Sequence, residues 1–251
     1  MRDQLYYGEY AAEYYDKLMS GSGKDGYLQT KDSYKNNARR ILDHLQKFHE
    51  GKTLLELGCG TGNFCVEFAK LGLHVTGIEL SKDLLRKAKK HPLVTYKQGD
   101  MREIQEEGFD YVVSLFDTFR YNQSFDEAKQ TLKCARNALN NEGVLLFDAY
   151  YTSPILKPKT VALPPVTLDD GRIIQEEVTW QTKGFKDFIH SVHYIYKCSK
   201  LKKRVDIKRL PRLRLSHARI TKLLKHSGFQ KIKFLNGFDG KNKEKIIVLA
   251  Q

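Results

Sequence analysis

The residues whose spacing carries most chemistry lie between Leu54 and Asp100. Gly58-Cys59-Gly60-Thr61-Gly62 follows the short apolar run Thr53-Leu54-Leu55-Glu56-Leu57 and precedes a helical pattern from Phe64 to Leu71. Glycines at such a junction let the backbone close on a ligand, and the free N–H groups of a helix N-terminus point at it. Glu79 ends the next strand-like stretch, 17 residues after Gly62. A carboxylate there can accept both ribose hydroxyls of an adenosine ligand. Asp100, in Gly99-Asp100-Met101, stands where it can accept from an adenine amino group. A dinucleotide-binding loop would place a third glycine at position 63. That residue is Asn63, which weakens a nicotinamide reading.

These residues need a scaffold that brings strand ends together. The pattern predicts strands at 53–57, 74–79, 94–98, 109–116 and 143–150, with helices at 64–71, from Ser81 onward and at 125–139. Strand and helix alternating at this spacing predicts parallel βαβ units in an open, doubly wound, mostly parallel sheet of seven strands. Open sheets of this kind bind ligands at the C-terminal ends of their strands. Upstream, 5–20 and 27–48 read as helices separated by Ser20-Gly21-Ser22-Gly23. Downstream the rhythm changes. Stretches near 171–182, 187–198 and 203–214 alternate or are β-branched, and turns at Asp169-Asp170-Gly171 and Lys183-Gly184 separate them. They predict an inserted small antiparallel β-sheet. A helix at 218–226 and strands at 231–235 and 245–249 return to the first sheet. Pro154 to Pro165, with four of the six prolines, reads as a linker. The division expected is a helical lid at 1–48, an α/β body at 49–152 and 215–251, and an acceptor-side insertion at 153–214.

Together these features resemble the class I S-adenosylmethionine-dependent methyltransferases, a Rossmann-like fold. The family's glycine motif is matched by Glu56-Leu57-Gly58-Cys59-Gly60-Thr61-Gly62, its ribose-binding acid by Glu79 and its adenine-side acid by Asp100. The resemblance covers about 53–150 and 215–251. It implies S-adenosyl-L-methionine as cofactor, held by Glu56, Gly58, Gly60, Gly62, Glu79, Leu80, Asp100, Met101 and Leu115. Tyr14-Tyr15-Asp16, Gly21-Ser22-Gly23-Lys24-Asp25 and Gln98-Gly99-Asp100-Met101-Arg102 look like the amino-sugar N-methyltransferase group. Those enzymes dimethylate the amine of nucleotide-linked deoxysugars and carry a β insertion after the fifth strand. That likeness implies that Tyr15 covers the cofactor and that Tyr121 lies near the acceptor amine, so Tyr15 and Tyr121 are the candidate catalytic residues. The group often has an arginine where Ser22 stands. Each residue also has a plainer reading: helix packing for Tyr15, a loop aromatic for Tyr121, and for nearby Asp117 a cap.

Composition limits the rest. The 251 residues carry a net charge of +13, with 41% hydrophobic and 29% charged residues, the balance of a globular protein. No apolar run approaches the roughly 20 residues of a membrane helix. Met1-Arg2-Asp3-Gln4 lacks a secretion-signal core, and the four cysteines, Cys59, Cys65, Cys134 and Cys198, form no C-x-x-C pair. A cytoplasmic enzyme without a metal site is expected. His190 and His193, three apart on one strand, face opposite sides, and His217 opens the helix after the insertion. No Asp/Asn-Pro-Pro-Tyr follows the fourth strand and no Pro-Cys pair occurs, which removes the usual DNA amino- and C5-methyltransferase signatures. Residues 1–150 hold 21 Lys/Arg and 22 Asp/Glu, whereas 151–251 hold 22 and 8. Nine of those cations fall between Lys197 and Arg214, against Asp206 alone. They read either as a solvated strand face or as an attraction to a phosphate-bearing partner, a nucleotide-sugar or RNA. The expected partner is a small-molecule acceptor, and the basic charge points to an anionic one. An RNA or protein methyltransferase and a non-catalytic cofactor-binding protein stay open.

Overall fold

Strand β1 (Thr53–Leu57) has four consecutive buried residues, as a strand covered on both faces must. It is an interior strand of a seven-stranded sheet in a computed structural model that describes residues 12, 15–17, 31–150, 159–162, 165–171, 173–182, 189–198, 203–213, 215–238 and 245–251. On one side β1 pairs in parallel with β2 (His74–Glu79), and β2 with β3 (Val94–Gln98). On the other side it pairs in parallel with β4 (Phe109–Ser114), and β4 with β5 (Leu139–Tyr150). The order is therefore β11-β12-β5-β4-β1-β2-β3. β12 (Lys245–Ala250) runs antiparallel to β5 and to β11 (Ile232–Asn236). The chain reverses its winding between β1 and β4, so their C-terminal ends frame the crevice where such sheets take ligands.

Alternation along the strands builds two cores. Leu54, Val113, Leu146 and Ile247 face α1 (Lys31–Gln46) and α2 (Asn63–Lys70), where Ala38, Ile41, Leu45, Phe64 and Phe68 bury. Their neighbours Leu55, Val112, Leu145 and Val248 face the opposite way. They pack against Ala128, Leu132 and Ala135 of α4 (Phe125–Ala138) and Ile220 and Leu224 of α5 (His217–His226). Serines start three helices by accepting a backbone N–H: Ser81 for α3 (Lys82–Arg86), Ser124 for α4 and Ser216 for α5.

The second sheet follows β5 in the chain. β6 (Lys159–Ala162), β8 (Ile173–Thr182), β9 (Ile189–Cys198) and β10 (Lys203–Leu213) lie in the order β10-β9-β8-β6, with β7 (Val166–Thr167) also on β8. Every pairing is antiparallel. The fold class is thus the one expected, an α/β sheet of seven mostly parallel strands with a small antiparallel sheet.

Two differences from the sequence pattern have physical reasons. β6 lies inside the proline-rich stretch because Lys159 to Ala162 contain no proline, and Pro158 and Pro164 flank the pairing rather than interrupt it. β4 stops at Ser114, two residues early, because Phe116 (φ 56°) and Asp117 (φ 64°) both turn into the left-handed region. Among the expected helices, 5–20 falls within the described residues only at Ala12 and 15–17, all helical, and 27–30 lies outside them.

Candidate active site

The glycine loop is pinned to β2 by N–H donation from Gly58 and Cys59 to the Ile78 carbonyl, at 2.7 and 3.0 Å. Gly58 (φ 71°) leaves no room for a side chain, which would collide with Thr118. Gly62 (φ 74°) is the N-cap of α2, and the Tyr96 ring occupies the space a side chain there would need. Glycine is the residue that meets both demands without strain.

Two buried carboxyls flank this loop. Glu79 accepts the N–H of Gly60 at 2.9 Å on one oxygen and that of Ser81 at 2.8 Å on the other. Those bonds fix its plane at the edge of the cavity. Burial nevertheless raises its pKa above the usual carboxylate value. Glu56 accepts the Cys65 thiol at 2.9 Å. Burial, with the Glu79 charge adding to it, pushes the Glu56 pKa up to about 8, although the thiol pulls it partly back. Cys59 and Cys65 are both buried, and both sulfurs pack against Gly77.

Beyond β3 the wall is ionic. Asp100 accepts Arg102 N–H and Nε on one oxygen, at 3.0 and 2.7 Å, and Nη2 on the other. Arg102 Nη1 reaches Glu127 at 2.7 Å. This arginine was not expected from the sequence, because its role depends on a partner on α4.

Aromatic rings make the opposite wall. Tyr15 lies over the glycine loop, its ring and hydroxyl at contact distance, 3.5 Å, from where a side chain on Gly60 would begin. Burial raises the Tyr15 hydroxyl pKa well above its ordinary value, and nearby Tyr34, Tyr121 and Glu79 add to the effect. Tyr15 is therefore a neutral phenol at physiological pH. Tyr34, on α1, sets its edge on Phe64 (5.1 Å between centroids) and Phe116 (5.4 Å). Tyr121 closes the 3₁₀ turn Thr118–Tyr121. The next residues of the N-terminal segment latch outward. Asp16 accepts from Thr61 Oγ1 and Asn63 Nδ2, at 2.5 and 3.0 Å, and Lys17 donates to Asp169 at 2.6 Å.

One cavity, which with its mouth holds about 900 Å³ of empty space, joins these walls. Tyr15, Glu56, Gly58, Gly60, Glu79, Leu80, Asp100, Met101, Leu115 and Tyr121 all line it. Gly62 does not; its place is the helix cap. Tyr34, Phe64, Phe116 and Thr118 line it as well, and no motif marked them in the sequence. Asp117 stands outside the lining, at the N-cap of the 3₁₀ turn, but its side chain makes no capping bond and pairs with Arg120 at 3.3 Å. His217 packs on the Phe234 ring, and Cys134 donates to the Arg102 carbonyl. The side chains of His190, His193 and the basic stretch 197–212 lie outside the described residues. Among the described residues no cluster of His, Cys, Asp or Glu is placed to hold a metal ion, and no helix is long and apolar enough to cross a membrane.

The family described as "Methyltransferase domain" matches residues 54–143. YqeM of Bacillus subtilis (strain 168), named as a methyltransferase, is 30% identical over 190 residues, 72% of this chain and 69% of its own. The chain belongs to the class I S-adenosylmethionine-dependent methyltransferases. A dTDP-3-amino-3,4,6-trideoxy-alpha-D-glucopyranose N,N-dimethyltransferase of Streptomyces venezuelae is 31% identical over 65% of this chain and 66% of its own. Among solved structures, DesVI of S. venezuelae superposes with a TM-score of 0.73 at 24% identity, over 95% of this chain and 97% of that one. S-adenosylmethionine-bound CalS10 of Micromonospora echinaspora gives 0.71 at 19% identity, over 98% of each. This methyltransferase thus takes S-adenosylmethionine as cofactor, and its cavity suits that ligand. Of the three carboxyls in the wall, Glu56 holds its proton near neutral pH, and the one guanidinium is committed to Asp100 and Glu127. Such a wall complements a ligand bearing sulfonium and ammonium charges.

Proposed function

We propose that this methyltransferase transfers the methyl group to the amine of a small, nucleotide-linked amino sugar. The observation that carries the proposal is the neutral, aromatic wall opposite the glycine loop. Tyr15, Tyr34 and Tyr121 offer hydroxyls there, and the raised Tyr15 and Tyr34 pKa values make them hydrogen-bonding groups rather than bases. An amine in its neutral form needs orientation more than deprotonation, whereas a hydroxyl acceptor needs a base. Relatives named as dTDP-amino-sugar N,N-dimethyltransferases support the choice, one from S. venezuelae and another from Streptomyces fradiae at 27% identity over 76% of this chain.

In this reading the cofactor supplies an already activated methyl on sulfur. Glu79 accepts the ribose hydroxyls, Asp100 faces the adenine side, and Glu56, Gly58, Gly60, Leu80, Met101 and Leu115 shape the rest. Gly62 contributes by starting α2. Tyr15 covers the cofactor and excludes water, and Tyr121 orients the amine. The cavity wall leans acidic, so the phosphates of the acceptor belong outside it, against the basic insertion. The lid at 1–48, the body at 49–152 and 215–251, and the insertion at 153–214 are the matching units.

The test is incubation of the enzyme and labelled cofactor with dTDP-3-amino-3,6-dideoxy-glucose, with total tRNA and with a basic peptide, read by mass spectrometry. One or two added methyl groups on the sugar nucleotide are expected. Methylation of the RNA or peptide instead would overturn the amino-sugar reading. Cofactor binding with no methylation of any acceptor would favour a non-catalytic partner.

A further inference from the structure

A buried ion pair lies behind the aromatic wall, outside the cavity lining. Asp148 on β5 is fully buried, and Lys245 on β12 brings Nζ to 2.5 Å from its Oδ2. Two charges inside a sheet flanked by apolar strands are costly to bury, and isolated pairs of this kind seldom add stability over apolar residues of the same shape. What the pair touches gives it another role. Asp148 Oδ1 accepts the backbone N–H of Asp117 at 2.8 Å. Lys245 Nζ lies over the rings of Phe238 and Phe116, at 4.5 and 5.5 Å from their centroids. Phe116 and Asp117 are the two non-glycine residues with positive φ among the described residues, and such backbone persists only where its surroundings over-determine it. The corner they form carries the Thr118–Tyr121 turn, so Phe116, Thr118 and Tyr121 all enter the cavity from it. On the far side of the same corner, Arg120 is buried, pairs with Asp117 and donates Nε to the Leu213 carbonyl at the end of β10.

We propose that Asp148 and Lys245 are positioning residues: the pair holds the left-handed Phe116–Asp117 corner, and through it the Thr118–Tyr121 turn, in the wall that faces the acceptor. The proposal rests on the reading of that wall as the acceptor side. The hydrogen bond from Asp117 N–H is the contact that positions, and Lys245 keeps its acceptor charged and fixed.

The test separates positioning from stability. Asp148→Leu with Lys245→Met replaces the pair by apolar side chains of nearly the same shape, an exchange that buried pairs commonly tolerate. The double variant is expected to keep its melting temperature and its cofactor affinity by calorimetry. Its turnover of the amino-sugar nucleotide should fall by about 100-fold, the scale of a 1 Å misplacement at a reacting centre, through kcat rather than cofactor binding. Exchange of the Asp117 amide hydrogen should speed up alongside. A folded double variant with wild-type turnover, or with unchanged Asp117 exchange, overturns the proposal. Asp148→Asn with Lys245→Met, which leaves no buried ammonium without its partner, covers the case in which the first double variant fails to fold. It keeps an oxygen for the Asp117 amide and is expected to keep both the slow exchange and most of the turnover; fast exchange or a hundredfold loss there overturns the proposal too. Amide exchange needs no acceptor, so it decides the matter even if the wild type leaves the amino-sugar nucleotide unmethylated.

Discussion

The two walls of the cavity are built by opposite means. On the cofactor side, the loop at 58–62 and the acids Glu56 and Glu79 are set within one βαβ unit, by backbone N–H bonds between the ends of β1 and β2 that span at most 20 residues and by the Cys65 thiol of α2. On the facing side, the corner at 116–121 is set by residues far off in the chain: Tyr34 on α1, Asp148 on β5 and Lys245 on β12. A wall made from local backbone suits a ligand common to a whole family. A wall held by distant side chains can be re-aimed by changing any of them, which suits a component that differs from enzyme to enzyme.

The difference predicts where damage falls hardest. Glu79→Ala should have the largest effect. It removes the acceptor of two backbone N–H groups, and each buried donor left unsatisfied costs about 1–3 kcal/mol. It also removes the proposed ribose contacts, so cofactor affinity should drop by about 100-fold, two charge-assisted hydrogen bonds' worth. Calorimetric titration with S-adenosylhomocysteine measures this. Unchanged affinity would mean that the carboxylate only braces the loop, and the contrast between the walls would lose its cofactor half.

The contrast also explains what could be read in advance. Gly58, Gly60, Glu79 and Asp100 were legible because loop chemistry and strand ends are local, and their spacing survives in the sequence. Tyr34 was not, since one tyrosine on an amphipathic helix carries no mark of the cavity it faces. Phe116 and Asp117 misled more directly: Ser114-Leu115-Phe116 continues a strand pattern, and only tertiary contacts turn the backbone left-handed there. Asp148 and Lys245 left a faint signal, each a lone charge in an apolar strand, Leu145-Leu146-Phe147-Asp148-Ala149 and Lys245-Ile246-Ile247-Val248. Their pairing, 97 residues apart, needed the sheet order.

A gentler break uses pH. Glu56 binds its proton up to about pH 8 in the fold, whereas the ordinary value is 4.5. As pH rises from about 4.5, the unfolded chain gives up this proton first, so the unfolded state gains and stability falls until the folded pKa is passed. The slope from this one group is at most about 1.4 kcal/mol per pH unit. Melting temperatures of the cofactor-free enzyme and of Glu56→Gln, compared from pH 5 to 8, should therefore diverge toward pH 8, with the variant losing less. Parallel curves would show that Glu56 is ionised in the fold and that the cofactor wall carries more charge than its burial implies.

The smallest effect expected concerns the segment that spans both walls. Tyr15 covers the glycine loop, Asp16 ties the segment to Thr61 and Asn63, and Lys17 reaches Asp169 at the turn before β8. The two latches differ in strength for a physical reason. Asp16 accepts two hydrogen bonds at the partly buried start of α2, whereas Lys17 meets an almost fully exposed carboxylate, where water and salt screen the pair. Asp16→Ala should therefore speed cofactor release by about 3- to 10-fold, one or two net hydrogen bonds' worth, when dissociation of S-adenosylhomocysteine is followed by stopped flow. Lys17→Ala should leave that rate unchanged at physiological salt. If Lys17→Ala proved the more damaging, the segment would be governed from the insertion, and cofactor exchange would answer to the acceptor wall rather than to the glycine loop.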